Sequence, residues 1–526
     1  MEKYLIYLAI FVVSMGLYRF FLYPVFISPL AKVPNAHWSS GLSSVWLYSM
    51  KWTGRENSEV YQAHLAKGPL IQLAPGLLSV KSIDDGLKTV YLGGFPKPPF
   101  YFHGFAVYGK GNLFTIVDNA THSAQKKIMS HAFSKSNVLA SQSARIATRD
   151  VLFDRVLPKL HKASINDSPI EIIEFNYSYY LDTFVQWQFG HSLRSNLVED
   201  EHERRLYLDG FFGPAGFTFW QYYFPNLSAN LRRIGIYLIP KWVDTGFAAV
   251  EKWNLDKCDQ AQQLLASGQD VPVEDQSLLF EKALKGMSRV DTKPREYPNR
   301  LELASDMFSL NSGAFETSGN TTTYLFYEMC RNPQWQTRLR KELMTLKVPP
   351  IHVPGTRLDP DDITSPRDLE ELPVLQAVIM ETLRLWPSVP GGQPRVVPKT
   401  TSLGGYHDIP AGTVVQAYAS VLHREPEVFP DPFAWKPERW LESSKEELAV
   451  MKRWFWGFGS GSRMCIGSHF AYYSIKFLVS SVYTNFTTTI HDHGDMEPND
   501  GYLAGPKGHR LEIKFHKVED GQDARI

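Results

Sequence analysis

The sequence predicts a mainly α-helical protein with small β-sheets, an α+β fold with one large domain. Long amphipathic segments with helical periodicity fill most of the chain and end at prolines. Short β-branched runs between glycine and proline, which are typical of strands, form only a minority. The 526 residues, 44% of them hydrophobic and 13% aromatic, suffice for a large core. No linker, repeat or low-complexity segment divides the chain after about residue 55. Length alone suggests about three or four domains, but this continuity favours one.

Charge and cysteine content exclude several classes of protein. Lys and Arg total 55 and Asp and Glu total 55, so the formal net charge is zero. A general nucleic-acid binder needs an excess of basic residues, so no nucleic-acid partner is expected. Cys258, Cys330 and Cys465 are too few and too scattered for a disulfide framework or a paired-cysteine zinc site. A reducing compartment is therefore expected.

The N-terminal residues 4–27 form an apolar run long enough to span the hydrocarbon core of a bilayer. A secretory signal peptide is the alternative, but the run is longer than a signal core and lacks a small-x-small cleavage pattern. Basic residues such as Lys32 and Lys51 follow it, so the positive-inside rule places the rest of the chain in the cytosol. We expect residues 1–30 to form a single-pass membrane anchor with the start of a Pro-rich connector, and residues 31–526 to form the globular domain.

The next elements are marked by proline, glycine and aromatic residues. Pro24, Pro29 and Pro34 are expected to break the N-terminal helix and to stiffen the connector. Residues 94–112 are predicted to form a Gly/Pro/aromatic loop, and helical patterning resumes at Asn119.

The segment from Phe211 to Phe224 is dense in aromatic side chains separated by glycine and proline. Core packing is the simpler interpretation, because aromatics dominate protein cores and this cluster has no clean period. The alternative is that it forms the lining or the lid of an apolar access channel.

The C-terminal half alternates helices with short strands. A long helix is predicted for residues 301–331 and should end at Asn332-Pro333, and a second is predicted for residues 335–346. Residues 372–387 (LPVLQAVIMETLRLWP) have the pattern of another amphipathic helix. Two β-branched runs, PRVVP at 394–398 and GTVVQAYA at 412–419, predict short strands.

One short segment carries the strongest chemical signal. Phe458, Gly461, Arg463, Cys465 and Gly467 have the spacing F-x-x-G-x-R-x-C-x-G. A metal-ligating thiolate must stand at the tip of a tight loop, which the first glycine permits, and the second lets the backbone approach a flat cofactor. The phenylalanine can shield the sulfur, the arginine can neutralise an acidic group of the cofactor, and backbone N–H groups can bind the sulfur. The helix that follows is expected to lower the cysteine pKa. The alternative is a merely buried cysteine in a glycine turn.

This cysteine loop resembles that of the haem-thiolate monooxygenases, the cytochrome P-450 superfamily. The resemblance covers essentially the whole chain after the apolar run. Glu381-x-x-Arg384 matches the family's E-x-x-R, and PERW at residues 437–440 matches its P-E-R-F segment with Trp in the last place. The resemblance implies that Glu381, Arg384 and Arg439 form a buried salt-bridge triad behind the cysteine loop. An isolated E-x-x-R would be an ordinary surface pair.

The long helix contains Gly313-Ala314-Phe315-Glu316-Thr317-Ser318, which is similar to the family's [AG]-G-x-[DE]-T-[TS]. Ala314 stands where the family usually has a second glycine. The resemblance implies that Thr317 and Glu316 are catalytic and form a route for the protons that dioxygen reduction needs. The alternative for Thr317 is a hydrogen bond to the carbonyl of Gly313, which is common for threonine inside a helix.

The resemblance also implies a haem b cofactor (iron protoporphyrin IX) with Cys465 as the axial ligand of the iron. Arg463, Arg395 and His122 match family positions that hold the haem propionates. Lys126 stands where the family has arginine, so it keeps the charge but loses the bidentate fork. A solvated helix face is the alternative for this lysine.

The implied function is that of a membrane-anchored monooxygenase of the endoplasmic reticulum, with a cytosolic catalytic domain. It would insert one atom of dioxygen into a lipophilic small molecule and reduce the other atom to water. Electrons would come from a separate NADPH-cytochrome P-450 reductase, with cytochrome b5 as a second candidate donor. Four basic residues are candidate docking contacts, namely Lys126, Lys127, Lys452 and Arg453.

The style of the motifs looks like that of fungal microsomal members that act in secondary-metabolite biosynthesis. A fatty-acid or sterol hydroxylase is an alternative within the same chemistry. A haem-thiolate isomerase or peroxide-dependent enzyme is a second alternative, against which the Glu316-Thr317 pair argues. A non-catalytic haem sensor is the third.

Overall fold

A computed structural model of the protein describes residues 2–268, 271–290 and 300–518. Helices dominate these residues and the strands are short, which confirms the predicted fold class. The helices are α1 Glu2–Leu17, α2 Val45–Trp52, α3 Glu56–Lys67, α4 Phe100–Phe105, α5 Asn119–Ser130, α6 Lys135–Ala140, α7 Gln142–Thr148, α8 Leu157–Ile165, α9 Ile172–Phe189, α10 Glu201–Phe212, α11 Thr218–Tyr223, α12 Pro225–Arg233, α13 Lys241–Ala266, α14 Leu278–Val290, α15 Arg300–Arg331, α16 Pro333–Leu343, α17 Pro366–Glu370, α18 Pro373–Leu385, α19 Ala419–Leu422, α20 Arg439–Glu442, α21 Lys445–Trp454 and α22 Ser468–Asn485. The strands are β1 Leu70–Ala74, β2 Leu77–Val80, β3 Ile170–Glu171, β4 Arg395–Val396, β5 Thr401–Leu403, β6 Tyr406–Ile409, β7 Val414–Gln416, β8 Phe486–His493 and β9 Leu511–Lys517. Wider helical turns cover Tyr18–Ile27, Ile83–Leu92 and Arg149–Val156, and tight 3-10 turns cover Pro29–Lys32, Gly213–Phe217, Val273–Asp275 and Gly461–Arg463.

The N-terminal helix keeps its apolar side chains outside the folded body. From Lys3 to Ile27 it is long and apolar enough to cross a membrane, judged by length and composition. No residue in its most apolar stretch is buried against the rest of the protein. The wider turns after α1 continue through Pro24 as far as Ile27, so the prediction that Pro24 breaks this helix is wrong. A wider turn gives the proline ring more room, because it moves the carbonyl with which the ring would otherwise collide. The helix ends at Ser28, whose backbone is extended.

The long helix α15 runs through the largest hydrophobic core and packs along α9. Gly319 of α15 lies against Tyr177 of α9, where a methyl group would collide with the tyrosine ring. The close approach of the two helices therefore depends on this glycine. The helix ends at the predicted place, because Pro333 begins α16 and restricts the residue before it.

The strands form three small sheets in the described part of the chain, with the orders β1-β2-β7-β4, β3-β9-β8 and β5-β6. The two strands predicted from the β-branched runs are β4 and β7, which pair antiparallel with Arg395 opposite Val415. Strand β7 pairs parallel with β2 and thereby joins the N-terminal part of the domain to its C-terminal half.

Residues 94–112 are not wholly a loop, because α4 occupies Phe100–Phe105. Two prolines directly precede this helix. Proline is compatible with the start of a helix, where the missing N–H has no helical partner, so a signal that predicted a loop here marks a helix start instead.

Candidate active site

A cavity of about 2000 Å³ lies between α15, the loop that carries Cys465, and the segment α10–α12. Its walls are mainly apolar and aromatic, and they include Phe105, Phe114, Phe211, Phe212, Phe219, Tyr222 and Phe308. Four of these side chains come from the aromatic segment 211–224. The structure thus favours channel lining over plain core packing for that segment. Cys465, Thr317 and Glu316 line the same cavity, although they lie about 150 residues apart in the sequence.

The cysteine loop is a tight turn that glycine makes possible. Gly461 has a φ of 73°, and a side chain at this position would collide with the backbone carbonyl of Tyr91. The N–H of Cys465 donates to the carbonyl of Phe458 at 3.0 Å and closes the turn. Gly467 is the N-cap residue of α22, so the cysteine lies just before the N-terminus of that helix.

The electrostatic surroundings of Cys465 differ from the expectation. The residue is exposed to the cavity, but desolvation by the surrounding protein raises the pKa of its thiol, although the N–H groups of Gly467 and Ser468 and the ammonium of Lys126 act in the opposite direction. The start of α22 therefore lowers the pKa of the cysteine, as predicted, but desolvation of the thiol acts in the opposite direction and is the larger effect. A thiolate at this place needs a stronger cation, as a metal ion provides.

Phe458 lines the cavity beside the cysteine, and its ring packs on that of Tyr472 with centroids 5.1 Å apart.

The other two cysteines have different surroundings. Cys258 and Cys330 do not line the cavity, and burial raises the pKa of both thiols, that of Cys330 to about 12.

Arg463 reaches from the cysteine loop to the segment before α5. Its guanidinium donates to the carbonyl of Ile116 at 2.6 Å and to that of Val117 at 3.0 Å. Its buried Nε has no hydrogen-bond partner among the residues that the structure describes. Arg463 lines the cavity, so this group can serve a ligand there.

The other three residues expected near the propionates differ in their positions. His122 is buried in the cavity wall, and burial together with Arg463 and Lys97 lowers its pKa to about 3, so the ring is neutral. Lys126 also lines the cavity, but its ammonium donates to the carbonyls of Ser462 at 2.7 Å and Met464 at 3.1 Å. This lysine therefore braces the cysteine loop.

Arg395 does not line the cavity. It is buried behind Tyr101, whose hydroxyl accepts a hydrogen bond from its guanidinium at 2.9 Å. Tyr101 does not line the cavity either, so any influence of Arg395 on a ligand there acts through its charge.

Lys97 belongs to the site although no motif marks it. It is 4% exposed, lines the cavity, and holds its ammonium 4.1 Å from the ring centroid of Tyr101 and 4.0 Å from that of Phe114. Its hydrogen bond goes to the carbonyl of Phe114. Burial is the main cause that lowers the pKa of Lys97 well below its usual range. The positive charges of Arg395, Arg463 and Lys126 lower it further.

These positive groups provide a test of whether haem fits the site. Within the described ranges, Lys97, Lys126, Arg395 and Arg463 have no carboxylate within 4.0 Å. Burying unpaired cations side by side is unfavourable unless an anion joins them. A flat cofactor that bears two carboxylates and an iron atom satisfies the cations, the unpartnered Nε of Arg463 and the thiol. The residues present therefore fit haem.

The wall formed by α15 carries the two predicted catalytic residues. The hydroxyl of Thr317 donates to the carbonyl of Gly313 at 2.7 Å, which is the helix-internal bond stated above as the alternative. Gly313 faces open space in the cavity, with no atom within 4 Å of an added methyl group. The Glu316 carboxyl has no hydrogen-bond partner in the described part of the chain, and burial raises its pKa to about 7.

Glu381, Arg384 and Arg439 meet in the core. Two guanidinium nitrogens of Arg384 donate to Glu381 at 2.9 and 2.8 Å, and Nε of Arg439 donates to the same carboxylate at 3.2 Å. The side chains of Glu381 and Arg384 are both 0% exposed. The indole of Trp440, which stands where the family usually has phenylalanine, donates to Glu381 at 3.0 Å. An aromatic N–H thus completes the coordination of this carboxylate.

His423 links this cluster to the cysteine loop, and no motif predicted it. Its Nδ1 is 3.0 Å from the carbonyl of Arg384, and its Nε2 accepts the N–H of Trp456 at 2.7 Å. Burial and Arg384 lower the pKa of His423 to about 3, so the ring is neutral and bridges the two backbones. The only sequence signal was a histidine 14 residues before the PERW segment, which is too weak to predict the bridge.

Comparison with known proteins gives one family and several full-length relatives. The chain matches the cytochrome P-450 family over residues 87–513. The cytochrome P-450 monooxygenase FGM1 of Gibberella zeae is 25% identical over 462 residues, which are 86% of each chain. The monooxygenase hkm5 of Aspergillus hancockii is 24% identical over 505 residues, 94% of this chain and 92% of its own. The pisatin demethylase of Fusarium vanettenii is 26% identical over 490 residues, 90% and 88% of the two chains.

Proposed function

We propose that this chain, which belongs to the cytochrome P-450 monooxygenases, inserts one atom of dioxygen into a lipophilic small molecule in fungal secondary metabolism. The observation that carries the proposal is the placement of Cys465 and Thr317 on the walls of one large, mainly aromatic cavity. Such a lining suits an apolar substrate. The fungal relatives, two of them named monooxygenases and one a pisatin demethylase, support a fungal enzyme that oxidises small molecules.

Haem b, when bound, supplies the iron centre at which dioxygen is activated. Cys465 is the proposed axial ligand, held in place by the turn at Gly461. Arg463, Lys97 and His122 are the proposed partners of the propionates on the cavity side. Lys126 would act by bracing the cysteine loop, and Arg395 would act through its charge.

Glu316 and Thr317 are the proposed proton route. Burial raises the pKa of the Glu316 carboxyl to about 7, so about half of these groups carry a proton at neutral pH. It can therefore act as a donor. The hydroxyl of Thr317 now donates to Gly313, so it has to rotate toward the cavity to pass a proton on. The open space at Gly313 leaves room for this rotation and for a small molecule beside the helix.

The electron donor in this proposal is an NADPH-cytochrome P-450 reductase, with cytochrome b5 as a second donor. Of the four basic residues predicted as docking contacts, Lys126 is engaged with the cysteine loop and Arg453 pairs with Asp84. Lys127 and Lys452 have no ion pair in the described ranges and are the better docking candidates. The apolar helix Lys3–Ile27 supports anchoring in the endoplasmic reticulum membrane with the domain in the cytosol.

The test uses the full chain co-expressed with a reductase in a host that is fed lipophilic candidate substrates. We expect the reduced carbon monoxide complex to show the thiolate band, and product to form at the expense of NADPH and dioxygen. Cys465→Ser should abolish the band, whereas Cys330→Ser, a matched change outside the cavity, should keep it. A band that survives Cys465→Ser would overturn the ligand assignment. Product without electron consumption would indicate an isomerase, and ligand binding without turnover would indicate a sensor.

A further inference from the structure

One end of the cavity reaches the surface between α2 and α11. Lys51, Trp52 and Gly54, at the end of α2 and just beyond it, line the same cavity as Phe219 and Tyr222 of α11. Trp52 is 59% exposed, so this part of the wall is continuous with the outside of the molecule.

A buried ion pair stands at the opening. Nζ of Lys51 donates to the Glu56 carboxylate at 2.6 Å and to the hydroxyl of Tyr223 on α11 at 3.1 Å. The Lys51 side chain is 11% exposed, and that of Glu56 is 7% exposed. Burial alone lowers the pKa of Lys51, but Glu56 and Tyr223 outweigh it and the pKa ends above its usual range, so the ammonium stays charged.

The two partners of Lys51 differ in how firmly they are held. The hydroxyl of Tyr418, which closely follows β7, donates to the second oxygen of Glu56 at 2.7 Å. Glu56 is therefore fixed to the largest sheet. Tyr223 lies on the six-residue helix α11, which has no fully buried side chain. The rings of Phe219 and Trp220 also hold α11 against Trp52 of α2, with centroids 5.0 and 5.5 Å from its ring, and the bond from Lys51 to Tyr223 is the hydrogen bond that joins α11 to the ion pair.

Tyr222 and Tyr223 of α11 both pack on Phe100 of α4, with ring centroids 5.9 and 6.0 Å from its own, but their other contacts differ. The ring of Tyr222 packs on Gly104, and its centroid is 5.4 Å from that of Phe105, both in the cavity wall. Tyr223 points to α2, where its ring also lies 6.0 Å from that of Tyr48. If Tyr223 leaves Lys51, the same movement of α11 withdraws Tyr222 from the wall and widens the opening.

We propose that the hydrogen bond between Lys51 and Tyr223 is a latch that holds α11 over the substrate entrance and limits the entry of bulky ligands. The proposal rests on the cavity being the substrate site of the proposed function. Small ligands pass the closed entrance or use narrower paths, whereas a bulky ligand requires that α11 move. The latch thus selects among lipophilic molecules by size at the step of entry and leaves the bound position unchanged.

The test compares Tyr223→Phe with Tyr48→Phe in the full-length holoenzyme. Both changes remove one phenolic hydroxyl from the interface of α2 and α11, but the hydroxyl of Tyr48 makes no hydrogen bond in the described part of the chain. Stopped-flow absorbance measures the association of clotrimazole, a bulky azole, and of imidazole. We expect Tyr223→Phe to raise the association rate of clotrimazole about tenfold, which corresponds to ~1.4 kcal/mol. Its imidazole rate, and both rates of Tyr48→Phe, should stay within about twofold of wild type.

A second readout does not use the haem. Amide hydrogen exchange across residues 218–223 should become faster in Tyr223→Phe and stay unchanged in Tyr48→Phe. Unchanged clotrimazole association together with unchanged exchange would overturn the latch. An equal acceleration for imidazole and clotrimazole would overturn the size selection. If wild type gives no azole spectrum, the proposed function fails, and the exchange experiment still decides whether the latch exists.

Discussion

Replacing Arg384 by methionine should destabilise the fold far more than its place in a short i, i+3 motif suggests. The side chain is 0% exposed, and its guanidinium makes two hydrogen bonds to Glu381. Three further bonds go to the carbonyls of His423 at 3.0 Å, Pro432 at 2.8 Å and Ala434 at 2.9 Å. Methionine fills much of the volume but donates to none of these oxygens.

The magnitude follows from what remains after the change. Breaking a buried ion pair from one side costs about 3–5 kcal/mol, because the other charge stays buried. Glu381 would keep Arg439 and the indole of Trp440, which lowers the cost. The three backbone carbonyls would lose their donor at about 1 kcal/mol each, which raises it again. We expect a loss of ~4 kcal/mol in the free energy of unfolding, roughly a thousandfold in the folding equilibrium.

The assay is urea unfolding of the full chain, followed by circular dichroism. Lys252→Met is the matched control, since Lys252 and Asp256 form an exposed i, i+4 pair, and it should shift stability by no more than about 0.5 kcal/mol. The double variant Glu381→Met, Arg384→Met should lose less stability than the two single variants summed, because the two residues no longer leave each other unpaired, although Arg439 then lacks its carboxylate partner. A loss below about 1 kcal/mol, or a double variant that equals the sum of the singles, would refute the reasoning.

Three further outcomes concern the cavity. Lys97→Met should release haem to apomyoglobin about tenfold faster, as expected for the loss of one charge-assisted contact, and equal rates would remove this lysine from the propionate site. Thr317→Ala should divert NADPH oxidation to hydrogen peroxide, and unchanged coupling to product would exclude Thr317 from the proton route. For Glu316→Gln the measurement is stability against pH. The folded-state pKa of Glu316 is raised from 4.5 to about 7, so ionisation opposes folding, and wild-type stability should fall relative to the variant between these values, by up to ~3 kcal/mol. A constant difference across this range would contradict the assigned pKa.

The parts of the site that the sequence predicted are those in which chemistry fixes a short spacing. Cys465 needs a glycine turn before it and a close backbone after it, and both are encoded within ten residues. Glu381 and Arg384 lie one helical turn apart, so their pairing is also local. Lys97 has no such partner in the sequence. Lys97 and Arg463 are more than 350 residues apart in the chain. They come near each other only because the cysteine loop and α5 pack against the segment before α4.

Local signals were wrong where the wider structure changes what a residue can do. Pro24 predicts a helix break in a regular α-helix, but wider turns carry the helix past it to Ile27. The start of α22 lowers the pKa of Cys465 as expected, but the sequence does not reveal the desolvation of the thiol, which is the larger effect. Thr317 was correctly described by its default helix-internal bond. Periodicity and spacing thus define elements and local pairs, whereas desolvation depends on packing that no short window contains.

The buried positive charges link cofactor binding to the stability of the fold. Lys97 loses basicity through burial and through repulsion from Arg395, Arg463 and Lys126, and each of these costs counts against the folded chain. Two carboxylates bound among them reverse both costs, because they restore a charged partner and replace lost hydration. A ligand that binds only the folded chain stabilises it in proportion to its affinity. Haem binding at this cluster would therefore tie the segment around Lys97 to the cysteine loop, and the same contact would shape the wall of the proposed substrate cavity.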